Sequence, residues 1–437
     1  MQLVEKTIIR KTHPLYQEMD RLAFKSKNLY NAGLYLVRQE FFKNGKFLSA
    51  YDLFKIFKDS NQQDYISLPR KVSMQVLFQI DQNFRSFFNA LKSYKQNPAK
   101  FTNKPKIPGY KDKAKGRNIV IYDKQAVSLK ALKKGLINLS GTKINIPTRT
   151  ITRDNINQVQ IVKRTGCYVV YSVYSVEENS YNDNGNIAAI DLGLNNLAAV
   201  TFSTNVRPIL INGKPLKSIN QYYNKKKSDM LLALNNHTRA KSKKLKKQRK
   251  ENLIEKSSEE NQEAIKNKLS TSNKIQKLSN KRNNKINDYL HKASRYLINQ
   301  LVSNNITNLI IGYNPGWKQE INIGRKNNQN FVSIPFAKFI DMLVYKSKLS
   351  GISVKIQEES YTSKCSFLDM ESIEKHEEYF GRRVKRGMFK SANNKKINAD
   401  INGSYNIMRK AAPRNFSEIL RNEGVEGVAV RPILVTI

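Results

Sequence analysis

Hydrophobic and polar positions alternate between two periods along the chain, and the switch points outline its organisation. Residues 2–10 are rich in β-branched side chains and predict a strand. From Leu15 through Phe42 the chain lacks proline and repeats apolar groups at helical spacing, predicting a helix over 15–43. A second helix is sharper: Val72, Val76, Ile80, Phe84, Phe88 and Leu91 form one apolar stripe. Pro69 sits near its start, where a missing N–H costs little, and Pro98 lies just past its end. Such a stripe reads as core rather than as a base-stacking platform. A loop of breakers and cations follows, from Lys104 through Pro105, Lys106, Pro108 and Gly109 to Lys111. Short β-branched runs come next at 118–122, 136–139, 144–146, 158–162 and 168–176. Their spacing resembles a small β-barrel or sandwich, which the first strand would join around the inserted helices.

The second half reads differently. After the Asn/Gly-rich 182–186, two apolar runs within 187–202 flank a Gly-Leu-Asn-Asn turn and predict a hairpin of buried strands. Residues 206–212 predict a third strand, and 224–300 predict long charged helices ending in an apolar stripe of Ile286, Leu290, Ala293, Leu297 and Leu301. Strands at 308–313 and 353–357 then alternate with helices at 334–349 and 399–411. This order predicts an α/β fold with a mixed sheet.

Charge narrows the function. The 437 residues carry 77 Lys+Arg against 35 Asp+Glu, a formal net charge of +42. Soluble domains usually carry about 2–8 charges, so an anionic partner is expected to share the load. That partner is nucleic acid or a membrane surface. No run reaches the roughly 18 apolar residues of a span, and the N-terminus has no apolar signal region. Hydrophobic residues at 39% are enough to build cores, which argues against disorder. Two cysteines, Cys167 and Cys365, exclude a disulfide scaffold and fit a reducing cytosol. The length suggests two to four domains.

Four histidines, no Gly-x-Ser-x-Gly elbow and no Walker A loop leave carboxylates as the candidate chemistry. Asp191 stands in an apolar strand, where a carboxylate must be paired, hydrogen-bonded or metal-bound; capping the following turn is an equally good reading. Glu358 and Glu359 follow the strand 353–357 and point to opposite faces, so only one can share a site with Asp191. Asp400 suits a helix N-cap, although Asn402, Tyr405 and Asn406 make that helix start unusually polar. Converging, the three carboxylates could hold two Mg²⁺ ions about 4 Å apart for phosphodiester hydrolysis.

Read in order, these segments resemble TnpB, the transposon-encoded family of RNA-guided nucleases. Ile190-Asp191-Leu192-Gly193-Leu194 resembles its first RuvC motif, and Leu290-His291-Lys292-Ala293-Ser294 its His-Lys-x-Ser helix. Tyr361-Thr362-Ser363-Lys364-Cys365 resembles the entry to its zinc ribbon, and Asn398–Gly403 its third RuvC motif, Asp-x-Asn-Ala. Residues 105–113 match its Pro-rich basic loop. Two departures stand out. Gly312 occupies the place of the family's second catalytic Glu, and Glu359 takes the position used by relatives that draw this residue from the next strand. Glu358 is the runner-up and Glu320 a remoter candidate. Only Cys365 remains of two Cys-x-x-Cys pairs, so no structural zinc is expected.

The resemblance implies a multidomain α/β protein. A β-barrel wedge domain (1–14 and 116–184) would carry a helical recognition insertion (15–115). An RNase H-like RuvC nuclease domain (185–364 and 397–412) would contain a helical insertion and a degenerate zinc-ribbon insertion (365–396), with a tail at 413–437. It implies an Mg²⁺-dependent endonuclease using Asp191, Glu359 and Asp400, a transposon-end-derived guide RNA and a double-stranded DNA target beside a short motif; the sequence leaves the oligomeric state open, with a monomer favoured. A prokaryotic cytoplasm with nucleoid association, and no membrane partner, goes with it. The expected nucleic-acid contacts are Lys104, Lys106, Lys111, Lys243, Lys244, Lys246, Lys247, Arg249, Arg382, Arg383 and Arg386. The alternatives are a nuclease-inactive RNA-guided repressor and a guide-independent nuclease or transposase.

Overall fold

A computed structural model of the protein describes residues 1–249, 273–314, 316, 324–385, 387–413 and 425–437. The chain forms two compact units, Met1–Glu177 and Glu178–Ile437.

In the first unit, β1 (Gln2–Arg10) precedes four helices: α1 (Tyr16–Asn44), α2 (Ala50–Asp59), α3 (Gln63–Ile66) and α4 (Arg70–Gln96). The sequence pattern does not single out α2, whose start is secured by a capping box between Ser49 and Asp52. After the basic loop come β2 (Val120–Asp123), the short α5 (Leu129–Leu132), β3 (Leu136–Asn138), β4 (Asn145–Pro147), β5 (Ile156–Arg164) and β6 (Cys167–Ser175). β1, β6, β5 and β2 make one antiparallel sheet in that order, and β3 pairs only with β4. The expected barrel is therefore corrected to an open sheet among the described residues. The reason is in the strands: the three-residue β3 and β4 form a ribbon of their own, so nothing joins edge β1 to edge β2. The sheet and helices share one apolar cluster, in which Val72, Val76, Ile80 and Phe84 meet Val120, Val159 and Val170. The aromatic stripe of α4 is thus core. An ion cluster supports it: Asp20 accepts from Arg117 (2.6 Å), Lys163 (2.7 Å) and Tyr168 (2.7 Å). Burial raises the Asp20 pKa, but these three donors outweigh it and hold the carboxyl well below its usual range.

The second unit is built on a six-stranded sheet. Its strands are β7 (Ile187–Leu192), β8 (Asn196–Phe202), β9 (Ile209–Asn212), β10 (Asn308–Gly312), β11 (Ser353–Gln357) and, at the end of the chain, β15 (Ile433–Val435). The order is β11-β10-β7-β8-β9-β15; β7, β8 and β9 are antiparallel, and β10 is parallel to both β7 and β11. A three-stranded ribbon, β12 (Arg382–Lys385), β13 (Met388–Lys390) and β14 (Lys396–Asn398), leads into the last long helix. The helices are α6 (Lys214–Arg249), α7 (Asn273–Ser303), α8 (Arg325–Ser333), α9 (Phe336–Leu349), α10 (Ala399–Ala411) and the short α11 (Val425–Ala429).

Strand alternation sorts this sheet into two faces. Ala188, Ile190, Leu192, Leu309 and Ile311 join Leu290, Leu297, Phe336 and Phe339 of α7 and α9. Ile187, Ala189 and Ile310 face Ile401, Tyr405 and Ile407 of α10. Asp191 and Gly312 share the parity of this second set. The His-Lys-x-Ser segment locks α7 to α9: buried Lys346 donates to the His291 carbonyl (2.8 Å) and Ser294 Oγ (2.6 Å).

Candidate active site

Asp191 lies near the end of β7 on the α10 face. Helix α10 comes against it because residue 403 is glycine: a Cβ there would stand 2.9 Å from Asp191 Oδ2. Asn398 caps α10, accepting from the Asp400 N–H (2.9 Å) and from Ile401, which places Asp400 in the first turn. Ser404 Oγ bonds the Ala189 carbonyl (3.0 Å) and shares a hydrogen bond with Thr201 (2.9 Å), tying helix to sheet beside Asp191.

Glu359 reaches the same face from β11. Gly312 and Gln357 are in register, and the Tyr313 N–H donates to the Gln357 carbonyl (2.9 Å). Just beyond, the Glu359 N–H donates to Asn314 Oδ1 (3.0 Å). This puts the carboxylate over the bare backbone of Gly312, where a Cβ would lie 2.3 Å from Glu359 Oε1 and 2.5 Å from Ile407 Cδ1. The space that a residue-312 side chain would need is filled by Glu359. Its Oε1 is buried, with no hydrogen-bond partner among the described residues. Glu358 goes elsewhere: it is half exposed, pairs with Lys410 of α10 (2.6 Å) and accepts from the Ser360 N–H (2.7 Å).

Electrostatics follow from this placement. Burial, then the charges of Glu359 and Asp400, push the Asp191 carboxyl well above its usual range, and Arg383 opposes them. Burial, then Glu358, raises Glu359 to about 7. Lys410 and Ser360 lower Glu358. Asp400 keeps two neighbours: Asn196, at the start of β8, donates to its Oδ2 (2.8 Å), and the Arg383 guanidinium lies 3.9 Å from Oδ1. Sequence reasoning missed Asn196, which it read as part of the Gly-Leu-Asn-Asn turn, and placed Arg383 among nucleic-acid contacts without foreseeing this carboxylate. Among the described residues, no three His, Cys, Asp or Glu side chains are arranged to hold one metal ion.

The polar residues of α10 are structural. Asn402 accepts from the Phe367 N–H (2.9 Å) and donates to the Cys365 carbonyl (2.9 Å). Asn406 donates to the carbonyls of Thr362 (2.9 Å) and Cys365 (2.8 Å). Tyr405 stacks on Phe367 with ring centroids 4.2 Å apart. Together they fasten the segment after Glu359 to α10. At the expected ribbon position, carboxylates tie the loops. Buried Glu371 accepts from the N–H groups of Ser366 (2.6 Å) and Phe380 (2.9 Å), and Asp369 from that of Ala392 (2.8 Å).

Among the expected nucleic-acid contacts, Lys104, Lys106, Arg382 and Arg383 are exposed. Lys111 is half-buried, with Nζ over the Tyr30 ring at 4.7 Å. Lys243, Lys244, Lys246, Lys247 and Arg249 lie on the distal part of α6, where only the backbone is described, and Arg386 and Glu320 lie outside the described residues.

Comparison with known proteins agrees with this architecture. The fold is a mixed α/β multidomain one similar to that of Cas12 effectors. The solved structure described as a Cas12f1–sgRNA–target DNA complex aligns over 90% of this chain and 82% of its own, at 14% identity and a TM-score of 0.52. A CRISPR–Cas12f ternary complex aligns over the same shares at 15% identity and a TM-score of 0.36. C2c1 of Alicyclobacillus acidoterrestris with single-guide RNA covers 90% of this chain and 70% of its own, at 10% identity and a TM-score of 0.34. The probable-transposase family model OrfB_IS605 matches residues 171–255 and 240–318, and the Cas12f1-like TNB domain model matches 336–407. These models and the shared fold are consistent with a TnpB-family protein, as the sequence motifs indicate. No curated protein matches the chain.

Proposed function

We propose that this chain is an RNA-guided, Mg²⁺-dependent DNA endonuclease with an RNase H-like RuvC domain in its second unit. The observation that supports the reading is on one face of one sheet: Glu359 from beyond β11 and Asp400 from α10 lie near enough to act on the charge of Asp191 from β7, and among the described residues Glu359 Oε1 is buried and unpartnered. Repelling carboxylates and an orphaned acceptor are chemically suited to a divalent cation. Asp191, Glu359 and Asp400 are the residues that would hold it, drawn into a three-ligand set that their side chains do not form as they stand. When bound, it would supply an activated water and charge stabilisation for the leaving 3′ oxygen. The chain's own part is positional. Gly403 admits α10 to Asp191, Asn196 orients Asp400, and the exposed cations hold nucleic-acid backbones while base pairing with a guide would read sequence. The guide RNA and target DNA printed for the solved Cas12f1 complex are the partners this reading carries over.

Asp191→Ala and Asp400→Ala are each expected to abolish cleavage while RNA binding persists; full cleavage by either variant refutes the assignment. Glu359→Ala should abolish it and Glu358→Ala should leave it. A co-purifying long RNA separates this reading from a guide-independent nuclease or transposase. One observation favours a nuclease-inactive, RNA-guided repressor: Asp400 is held by Asn196 and neighboured by Arg383, short of a complete three-ligand set. Target cleavage by the unmodified protein with Mg²⁺ excludes that alternative.

A further inference from the structure

Away from the carboxylates, helices α6 and α7 enclose a cavity of about 230 Å³ whose lining includes Tyr222, Tyr223, Lys281, Arg282 and Lys285. Its chemistry is mixed in a particular way. Ile219 and Leu278 contribute apolar surface, two tyrosines contribute rings, and among the described lining residues every ionisable group other than the tyrosines is a cation. The Tyr223 ring is held in place: its hydroxyl shares a hydrogen bond with Ser279 (3.0 Å), and the Arg282 guanidinium lies 5.5 Å from its centroid. Arg282 is itself anchored by Asn220 Oδ1 (2.8 Å) and the Ser333 carbonyl (2.7 Å). Tyr222, by contrast, is 55% exposed. Lys281 and Lys285 lie one turn apart on the same face of α7, and both are exposed.

We propose that this cavity receives an unpaired nucleotide of a nucleic-acid strand, its base stacking on Tyr222 beside the fixed Tyr223 and its phosphates meeting Lys281 and Lys285. A fixed ring, a second, exposed ring, and cations with no carboxylate among the described lining residues are what a stacking platform with backbone neutralisation requires. An apolar partner helix would leave the ammonium groups of Lys281 and Lys285 desolvated and unpaired, at a large cost. The direction of α6 adds continuity, since it runs on toward the sequence stretch 241–250, which holds seven basic residues in ten. The proposal rests on the nucleic-acid-binding part of the function proposed above, and not on its cleavage chemistry.

The test uses the full chain in EDTA, so that cleavage plays no part. Twelve-nucleotide single strands carrying 4-thiouridine (RNA) or 4-thiothymidine (DNA) are photocrosslinked at physiological salt, and the adducts are mapped by mass spectrometry. A crosslink on the peptide holding Tyr222 and Tyr223 is expected. Tyr222→Ala should lower its yield at limiting protein about five- to hundredfold, the loss of one stacked base, and Tyr222→Phe should retain it. Lys281→Gln with Lys285→Gln should reduce the salt dependence of that crosslink by about 1.4 in log–log slope. A response confined to the RNA or to the DNA strand identifies which of them occupies the cavity. Crosslinks confined to other peptides, or a yield unchanged in Tyr222→Ala, overturn the proposal alone. If neither strand binds the unmodified protein, the proposal and the nucleic-acid reading fall together.

Discussion

The strictest test of the rearranged carboxylate site is a single methyl group at residue 312. In Gly312→Ala the new Cβ would fall 2.3 Å from Glu359 Oε1 and 2.5 Å from Ile407 Cδ1, where carbon contacts normally begin near 3.4 Å. Both neighbours are side-chain ends, so each can move, but each movement has a consequence. Ile407 is 1% exposed in the α10 core, and Glu359 would leave the position over the sheet that makes it a ligand candidate. Overpacking of this kind costs about 1–3 kcal/mol, or several degrees in melting temperature for a unit of this size. The carboxylate half of that cost disappears when Glu359 is shortened. Measured by thermal or urea unfolding, Gly312→Ala should therefore cost less in a Glu359→Ala background, giving a coupling of about 0.5–3 kcal/mol. In a guide-programmed cleavage assay Gly312→Ala alone should lose most activity. The exchange Gly312→Glu with Glu359→Gly should recover more activity than Gly312→Glu alone, because one carboxylate then occupies the space of one. Wild-type stability and cleavage in Gly312→Ala, with additive rather than coupled costs, would refute the claim that residue 312 is glycine because Glu359 fills its place.

Further outcomes follow from charge and hydrogen bonding. Glu359 has its carboxyl raised from 4.5 to about 7, so its folded state prefers the proton; in metal-free protein stability is full below pH 4.5 and falls as the pH rises through 7. The drop is at most about 3 kcal/mol, and Glu359→Gln should flatten that part of the stability–pH curve. Buried Lys346 is lowered to about 8 by burial and then Arg295, so its contribution should improve as the pH rises from 8 toward 10.5. Ser294→Ala, which removes an acceptor for that ammonium, should cost about 1–3 kcal/mol in chemical unfolding. Glu371→Ala strands the N–H groups of Ser366 and Phe380 and should cost a similar amount each, and a zinc chelator should leave the melting temperature of the unmodified protein unchanged.

Much of this protein is legible in its sequence for a local reason. Helices such as 70–96 announce themselves because a buried stripe must recur every turn, and strands such as 187–192 because burial on both faces demands an unbroken apolar run. Asp191 is conspicuous for the same reason, a charge where the pattern permits none. The net charge of +42 likewise belongs to composition and pointed to a polyanion without any coordinates. Where the pattern carried little energy it misled: three-residue strands at 136–138 and 145–147 pair only with each other, so the anticipated barrel is an open sheet.

What only the tertiary structure decided is which groups meet. Glu358 and Glu359 are adjacent and chemically identical; the motif position favours Glu359, but neither the motif nor the strand's alternation shows what each will meet. Lys410, 52 residues away, takes the first, while the empty backbone of Gly312 on the neighbouring strand receives the second. Asn196 and Arg383 reach Asp400 from a strand start and from a separate ribbon. The polar residues of α10, which as a sequence suggested chemistry, turn out to fasten residues 362–367 to the helix. Periodicity records which side of an element is buried; it contains no term for the strand register and interhelical distance that choose each side chain's partner, and here those two quantities decide which carboxylate lies over Gly312.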